Sequence, residues 1–188
     1  ALSAYCEVID NAIQADANKI IIQFETVDGN KGYQHIDKVV FGDDGLGMNK
    51  ETLHRCLQLG WSSRYNSKKG IGRFGVGMTL AAIHECKRVD IYSKESGCPT
   101  YKTYIDLDEI EANSLNAIPE PVMEEAPFQY KNCLGDRSGT LVIWSKYDRQ
   151  EKNAKKLIEE SEVHMGRTYR YFIWDDDVSL KINDKNIY

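Results

Sequence analysis

The stretch IDKVVFGDDGLGM, residues 36–48, runs from a β-branched strand into a turn built on Asp43, Gly45 and Gly47. An acid that closes a strand is held at a pocket floor while the glycines let the backbone reverse sharply behind it. A carboxylate placed there accepts a hydrogen bond from an exocyclic amine. A carbonyl in the amine's place would set lone pair against lone pair and be rejected. By itself an Asp-Gly pair is most simply an ordinary turn. Its neighbours along the chain make it more.

Upstream, Leu2, Cys6, Ile9 and Ile13 recur at helical spacing, so residues 2–17 are expected to form a helix with one apolar face. Glu7, Asn11 and Ala15 form a second stripe, each one turn from the next. Asn11 offers a neutral amide oxygen suited to a hard Mg²⁺ ion whose other ligands would be phosphates and water. Glu7, ionised at neutral pH, could take a proton from an attacking water. A solvated helix face is the plainer reading of either residue alone. Asp10 is expected on the surface or behind the site.

Downstream, Gly70, Gly72, Gly75 and Gly77 interleave with Ile71, Arg73, Phe74 and Val76 immediately before a helix-forming segment, MTLAAIHECK. Glycines let backbone N–H groups close on phosphate oxygens, and the helix start adds partial positive charge. The run is neither a GxxxxGK[ST] loop nor a Rossmann GxGxxG, since no compact βαβ unit surrounds it. Arg64, Lys68, Lys69 and Arg73 add a local basic patch that could meet phosphate.

The remaining elements are expected as strands at 20–26, 36–44, 89–94, 101–107 and 139–147. Asn49 caps a short helix, a charged helical stretch covers 149–173, and a hairpin turns at Asn183 and Asp184. All four prolines fall at 99–127, and the acidic, weakly periodic part of that region, extended to 108–135, reads as a surface insertion. The chain is 188 residues long, 41% hydrophobic and 28% charged, the balance of one globular domain. No apolar run reaches membrane-spanning length. The net charge of -5 gives no general attraction to nucleic acid. Five cysteines without metal-ligand spacing point to free thiols, a reducing compartment and hence a cytoplasmic setting.

In order, E-x-x-x-N-A on a helix, D-x-G-x-G after a strand, the glycine run, and Gly139-Thr140 opening a strand together resemble the motif series of the GHKL superfamily of gyrase, heat-shock chaperones, histidine kinases and MutL. The resemblance covers roughly residues 1–147. It implies a Bergerat-type α/β sandwich: two layers, a mixed, mostly antiparallel sheet, and helices on one face. It further implies ATP and Mg²⁺ as ligands. Asn11 would be the metal ligand, Asp43 the adenine acceptor, and Gly45, Gly47, Met48 and Ala15 the base pocket. Gly70 to Gly77 would form the lid, and Thr140 would support the base through its hydroxyl and a water. Glu7, present in the hydrolysing branches where histidine kinases generally carry Asn, would be the catalytic base.

The wording GRFGVGM and the later GRTYRYFI are most similar to the microrchidia (MORC) proteins and their bacterial relatives. That similarity implies an ATP-gated homodimer clamp in a longer protein, with DNA or another protein as client. Residues 1–170 would then be the ATP-binding domain and 171–188 a strand hairpin leading to a transducer domain, whose lysine usually completes the site. Without that domain, hydrolysis by this chain would be weak. A histidine-kinase phosphotransfer domain and a non-catalytic ATP sensor are the competing readings.

Overall fold

A computed structural model describes residues 1–29, 32–58, 77–112, 117–147, 153–175 and 177–188, with side chains from 81 onward in the third of these segments. Among the described residues eight strands form one sheet in the order β5-β4-β3-β6-β2-β1-β7-β8. In chain order they are β1 (Lys19–Asp28), β2 (Gln34–Asp43), β3 (Arg88–Lys94), β4 (Tyr101–Asp106), β5 (Val122–Met123), β6 (Gly139–Ser145), β7 (Ser179–Ile182) and β8 (Lys185–Asn186). Every neighbouring pair is antiparallel except β1 and β7, which run parallel with Ile20 opposite Leu180. The expected mixed, mostly antiparallel α+β sheet is therefore present.

Among the described residues six α-helices accompany it: α1 (Leu2–Gln14), α2 (Lys50–Cys56), α3 (Gly77–Glu85), α4 (Leu107–Glu111), α5 (Ala154–Thr168) and α6 (Arg170–Trp174). The apolar stripe of α1 buries Tyr5, Val8, Ile9 and Ala12. These pack on alternate side chains of the central strands, among them Ile20, Ile22, Val39, Phe41 and Trp144, in one core shared with buried residues of α2, α3 and α5. Tyr5 sits at its centre, 5.7 Å ring to ring from each of Phe24, Phe41 and Trp144. Burial of that size, with interlocked rings, is what makes a 13-residue helix stable.

The intervening strand residues point to the opposite face, as the two-residue period of a strand requires. There Ile21, Val40, Tyr92, Leu141 and Ile143 are covered by Ala126, Tyr130, Cys133 and Leu134. Part of the segment read as a surface insertion is thus the lid of a second, smaller core. The same segment begins with α4, whose N-cap Asp106 accepts from the amides of Asp108 and Glu109. Its acidic start is matched across the sheet: Lys146 pairs with Asp108 at 3.2 Å and Arg88 with Glu109 at 3.3 Å.

Several local expectations hold. Asn49 caps α2 by accepting from the Thr52 amide at 2.9 Å. Asn183 turns the β7–β8 hairpin with φ 51°, a conformation that asparagine tolerates better than most residues. From Ala154 the charged stretch is helical but breaks at Tyr169, which ends α5 and begins α6, while 149–152 lie outside the described residues. The Tyr169 hydroxyl reaches α1, contacting the Cys6 carbonyl at 3.1 Å and Asp10 Oδ1 at 2.8 Å. Among the described residues no helix is long and apolar enough to cross a membrane.

Candidate nucleotide site

The site grows from the end of β2. Asp43 closes the strand, and its Oδ1 accepts from two backbone amides, Gly45 at 2.9 Å and Thr140 at 3.2 Å. Oδ2 has no hydrogen-bond partner among the described residues. Burial raises the carboxyl pKa from 3.8 to about 6; the two amides oppose the rise and the charge of neighbouring Asp44 adds to it. Burial is the larger effect because removing a carboxylate from water penalises its charged form more than two amide dipoles restore. Asp44 points elsewhere: its Oδ1 accepts from the amides of Asn18 and Lys19, fixing the entry into β1.

Two glycines of the turn are dictated by neighbouring backbone. A Cβ on Gly47, at φ 73°, would lie 1.9 Å from the Lys94 carbonyl oxygen, and one on Gly45 would lie 2.7 Å from that of Ala15. Gly139 is bound in the same way, since its Cβ would meet the Asp43 carbonyl at 2.1 Å. The glycine pattern thus reflects three close approaches of main chain: turn to β3, turn to α1, and β6 to β2.

Ala15 joins α1 to the turn. Its carbonyl accepts from the Leu46 amide at 2.8 Å. Counting back along the helix, Asn11 is about 6 Å and Glu7 about 12 Å farther from the Asp43 turn, at 1.5 Å per residue. Asn11 is exposed and Glu7 half-buried. A ligand with its polar edge on Asp43 and its other end laid along α1 would meet Ala15, Asn11 and Glu7 in that order.

Ser93, which sequence reading passed over, lies within this frame. Its hydroxyl accepts from the Met48 amide at 2.9 Å, contacts the Gly139 carbonyl at 3.1 Å, and lies 2.9 Å from the Thr140 hydroxyl. Ser93 is fully buried. A small polar residue inside a strand buried on both faces is the only sequence sign of it. Gly135 was also missed; its amide donates to the Asp43 carbonyl at 3.1 Å.

The sequence-derived residues Glu7, Asn11, Ala15, Asp43, Gly45, Gly47, Met48 and Thr140 therefore lie on two linked features, helix α1 and the turn joined to β3 and β6. Gly77 opens α3. Gly70, Gly72, Arg73, Phe74, Gly75 and Val76 lie outside the described residues, as do Arg64, Lys68 and Lys69. The donor set fits ATP: an acceptor oxygen for an amine at one end, an amide and a carboxylate at the other. Among the described residues no cluster of three or more His, Cys, Asp or Glu could hold a metal alone. A Mg²⁺ ion at Asn11 would take its remaining ligands from phosphate and water, which is its usual preference.

Residues 2–140 match the model of the histidine kinase-, DNA gyrase B- and HSP90-like ATPases, a span that runs from the start of α1 to Thr140. Protein MICRORCHIDIA 7 of Arabidopsis thaliana is 28% identical over 96% of this chain and 27% of its own length. Protein MICRORCHIDIA 1 of the same plant is 22% identical over 99% of this chain and 33% of its own. ATPase morc-1 of Caenorhabditis elegans is 32% identical over 53% of this chain and 11% of its own. The chain thus spans a third or less of these relatives. The crystal structure of the N-terminal domain of a DNA repair protein superposes with a TM-score of 0.59 over 97% of this chain and 49% of that one, at 16% identity, a likeness of fold. With all four motifs inside the matched span or at its end, the chain belongs to the family of histidine kinase-, DNA gyrase B- and HSP90-like ATPases.

Proposed function

We propose that this chain binds ATP with Mg²⁺ and hydrolyses it, as the nucleotide module of a microrchidia-like clamp that closes as a homodimer. The observation that carries the reading is Asp43: one oxygen is held by two amides, and the other has no partner among the described residues, at the foot of a helix that bears Asn11 and Glu7. The adenine amine donates to Oδ2, with Thr140, Met48, Gly45 and Gly47 around the base and Ala15 beside it. The family resemblance assigns the phosphates to the glycine run Gly70 to Gly77, with Arg73, Phe74 and Val76 between the glycines; Gly70 to Val76 lie outside the described residues.

Asn11 would hold a magnesium ion, which would supply charge neutralisation on the phosphates. Glu7 accepts a proton from water as the water oxygen bonds to the γ-phosphorus and the bond from that phosphorus to the β–γ bridging oxygen breaks. ADP and phosphate are the products.

Incubation with γ-labelled ATP tests the assignment. Released phosphate is the expected result, and Glu7→Ala retains ATP binding while losing turnover. Unchanged hydrolysis in that variant removes Glu7 from the role, and label retained as phosphohistidine replaces hydrolysis with phosphotransfer. A long form of the protein that binds ATP and never releases phosphate is a sensor. Sedimentation with a non-hydrolysable analogue tests the clamp, which requires a nucleotide-dependent dimer.

A further inference from the structure

Ser93 is buried beside the Asp43 turn, where its hydroxyl meets Met48, Gly139 and Thr140. Its hydroxyl has one hydrogen and faces three groups: the Met48 amide, the Gly139 carbonyl and the Thr140 hydroxyl. The amide can only donate, so it occupies a lone pair of Ser93. The carbonyl has no hydrogen, so its contact needs the one on Ser93. With that hydrogen committed, the Ser93–Thr140 contact must be donated by Thr140.

We propose that Ser93 is a specificity-determining positioning residue: by drawing the Thr140 hydroxyl hydrogen inward, it leaves only acceptors, Thr140 Oγ1 and Asp43 Oδ2, facing the base. This rests on the reading of the site as an ATP pocket. A floor of acceptors selects a nucleotide whose base brings donors directly against both oxygens, the 6-amino purines. It rejects 6-oxo purines at two points where Asp43 alone would reject them at one.

Removing the Ser93 hydroxyl frees the Thr140 hydrogen to turn outward and donate to a 6-oxo group. The experiment measures dissociation constants of ATP and inosine triphosphate for the wild type, Ser93→Ala, Thr140→Val and the double variant. The wild type prefers ATP, and Ser93→Ala reduces that preference about tenfold, the worth of one hydrogen bond. In the Thr140→Val background no hydroxyl remains to be oriented, so Ser93→Ala changes the ratio by less than about twofold. A general loosening of the pocket would act equally in both backgrounds and would overturn the proposal, as would an unchanged ratio in Ser93→Ala.

Wild-type protein that binds no ATP overturns the nucleotide reading itself, and this inference with it. Ser93→Ala leaves the Met48 amide and Gly139 carbonyl short of a buried partner and can fail to fold. Neutron diffraction from the wild-type protein then decides the matter. A deuteron on Thr140 Oγ1 directed at Ser93 Oγ supports the proposal, and one directed into the pocket overturns it.

Discussion

The Thr140 amide donates to Asp43 Oδ1 across 3.2 Å, joining two residues 97 positions apart in the chain. Thr140 begins β6 and Asp43 ends β2, and the two strands lie side by side with Gly42 opposite Leu141. The bond therefore costs the sheet nothing to form, and it immobilises one carboxylate oxygen so that the other has a fixed direction. A side chain held this way can discriminate between ligands because it cannot rotate to suit them.

Replacing Asp43 with asparagine inverts that edge. The amide oxygen of asparagine takes over the Oδ1 bonds to Gly45 and Thr140, which turns its NH₂ toward the base. Donor then faces donor, and ATP affinity falls by about 2–3 kcal/mol, a loss of roughly 30- to 150-fold. Calorimetric titration measures it, with a circular dichroism melt to establish that the variant is folded.

The raised pKa of Asp43 sets a pH dependence. Below pH 3.8 the carboxyl is protonated both folded and unfolded. Between there and about 6 the folded chain keeps a proton that the unfolded chain has released, so its contribution to stability declines as pH rises and is lost above about 6. The decline amounts to roughly 3 kcal/mol. For binding the direction is opposite, because the amine of ATP prefers the ionised form. The ratio of ATP to inosine triphosphate affinity, in which phosphate titration cancels, should fall as pH drops through about 6. Asp43→Asn should flatten the curve.

Gly47→Ala should unfold much of the protein without reference to any nucleotide. Its Cβ would lie 1.9 Å from the Lys94 carbonyl in a positive-φ conformation, a clash and a strain that together cost about 3 kcal/mol or more. Urea denaturation without ATP measures this. If the glycine served only to admit the base, the melt would be unchanged.

Asn11→Ala tests the metal assignment. Loss of one oxygen ligand should raise the Mg²⁺ concentration for half-maximal ATP hydrolysis about tenfold or more, while nucleotide binding in EDTA stays close to wild type. Hydrolysis rates over a magnesium titration provide the readout.

What could be read from the sequence was local. The stripe of Glu7 and Asn11, the Asn49 cap and the Asn183 turn each depend on residues within a few positions of one another and stand where expected, whereas the helix read over 2–17 ends at Gln14 with Ala15 as its C-cap. The Asp43 turn was legible for the same reason, although the sequence did not disclose that Gly45, Gly47 and Gly139 answer to neighbouring main chain. Ser93 escaped notice because β3 is buried on both faces and shows no alternation to mark it. The cover formed by Tyr130, Cys133 and Leu134 was hidden by acidic residues whose partners, Arg88 and Lys146, are brought in by the sheet. Parallel pairing of β7 with β1 joins segments about 160 residues apart and has no local signature.

The Tyr169 hydroxyl, resting on Cys6 and Asp10, lies beyond the last of the four motifs by about thirty residues. A fragment cut after Thr140 would retain every residue assigned to the nucleotide, yet it would lose this brace on α1 and leave β1 as a bare edge. Motif content and the smallest autonomous folding unit are therefore different lengths of chain. The helix that carries Glu7 and Asn11 is braced by a residue that lies outside the motif span.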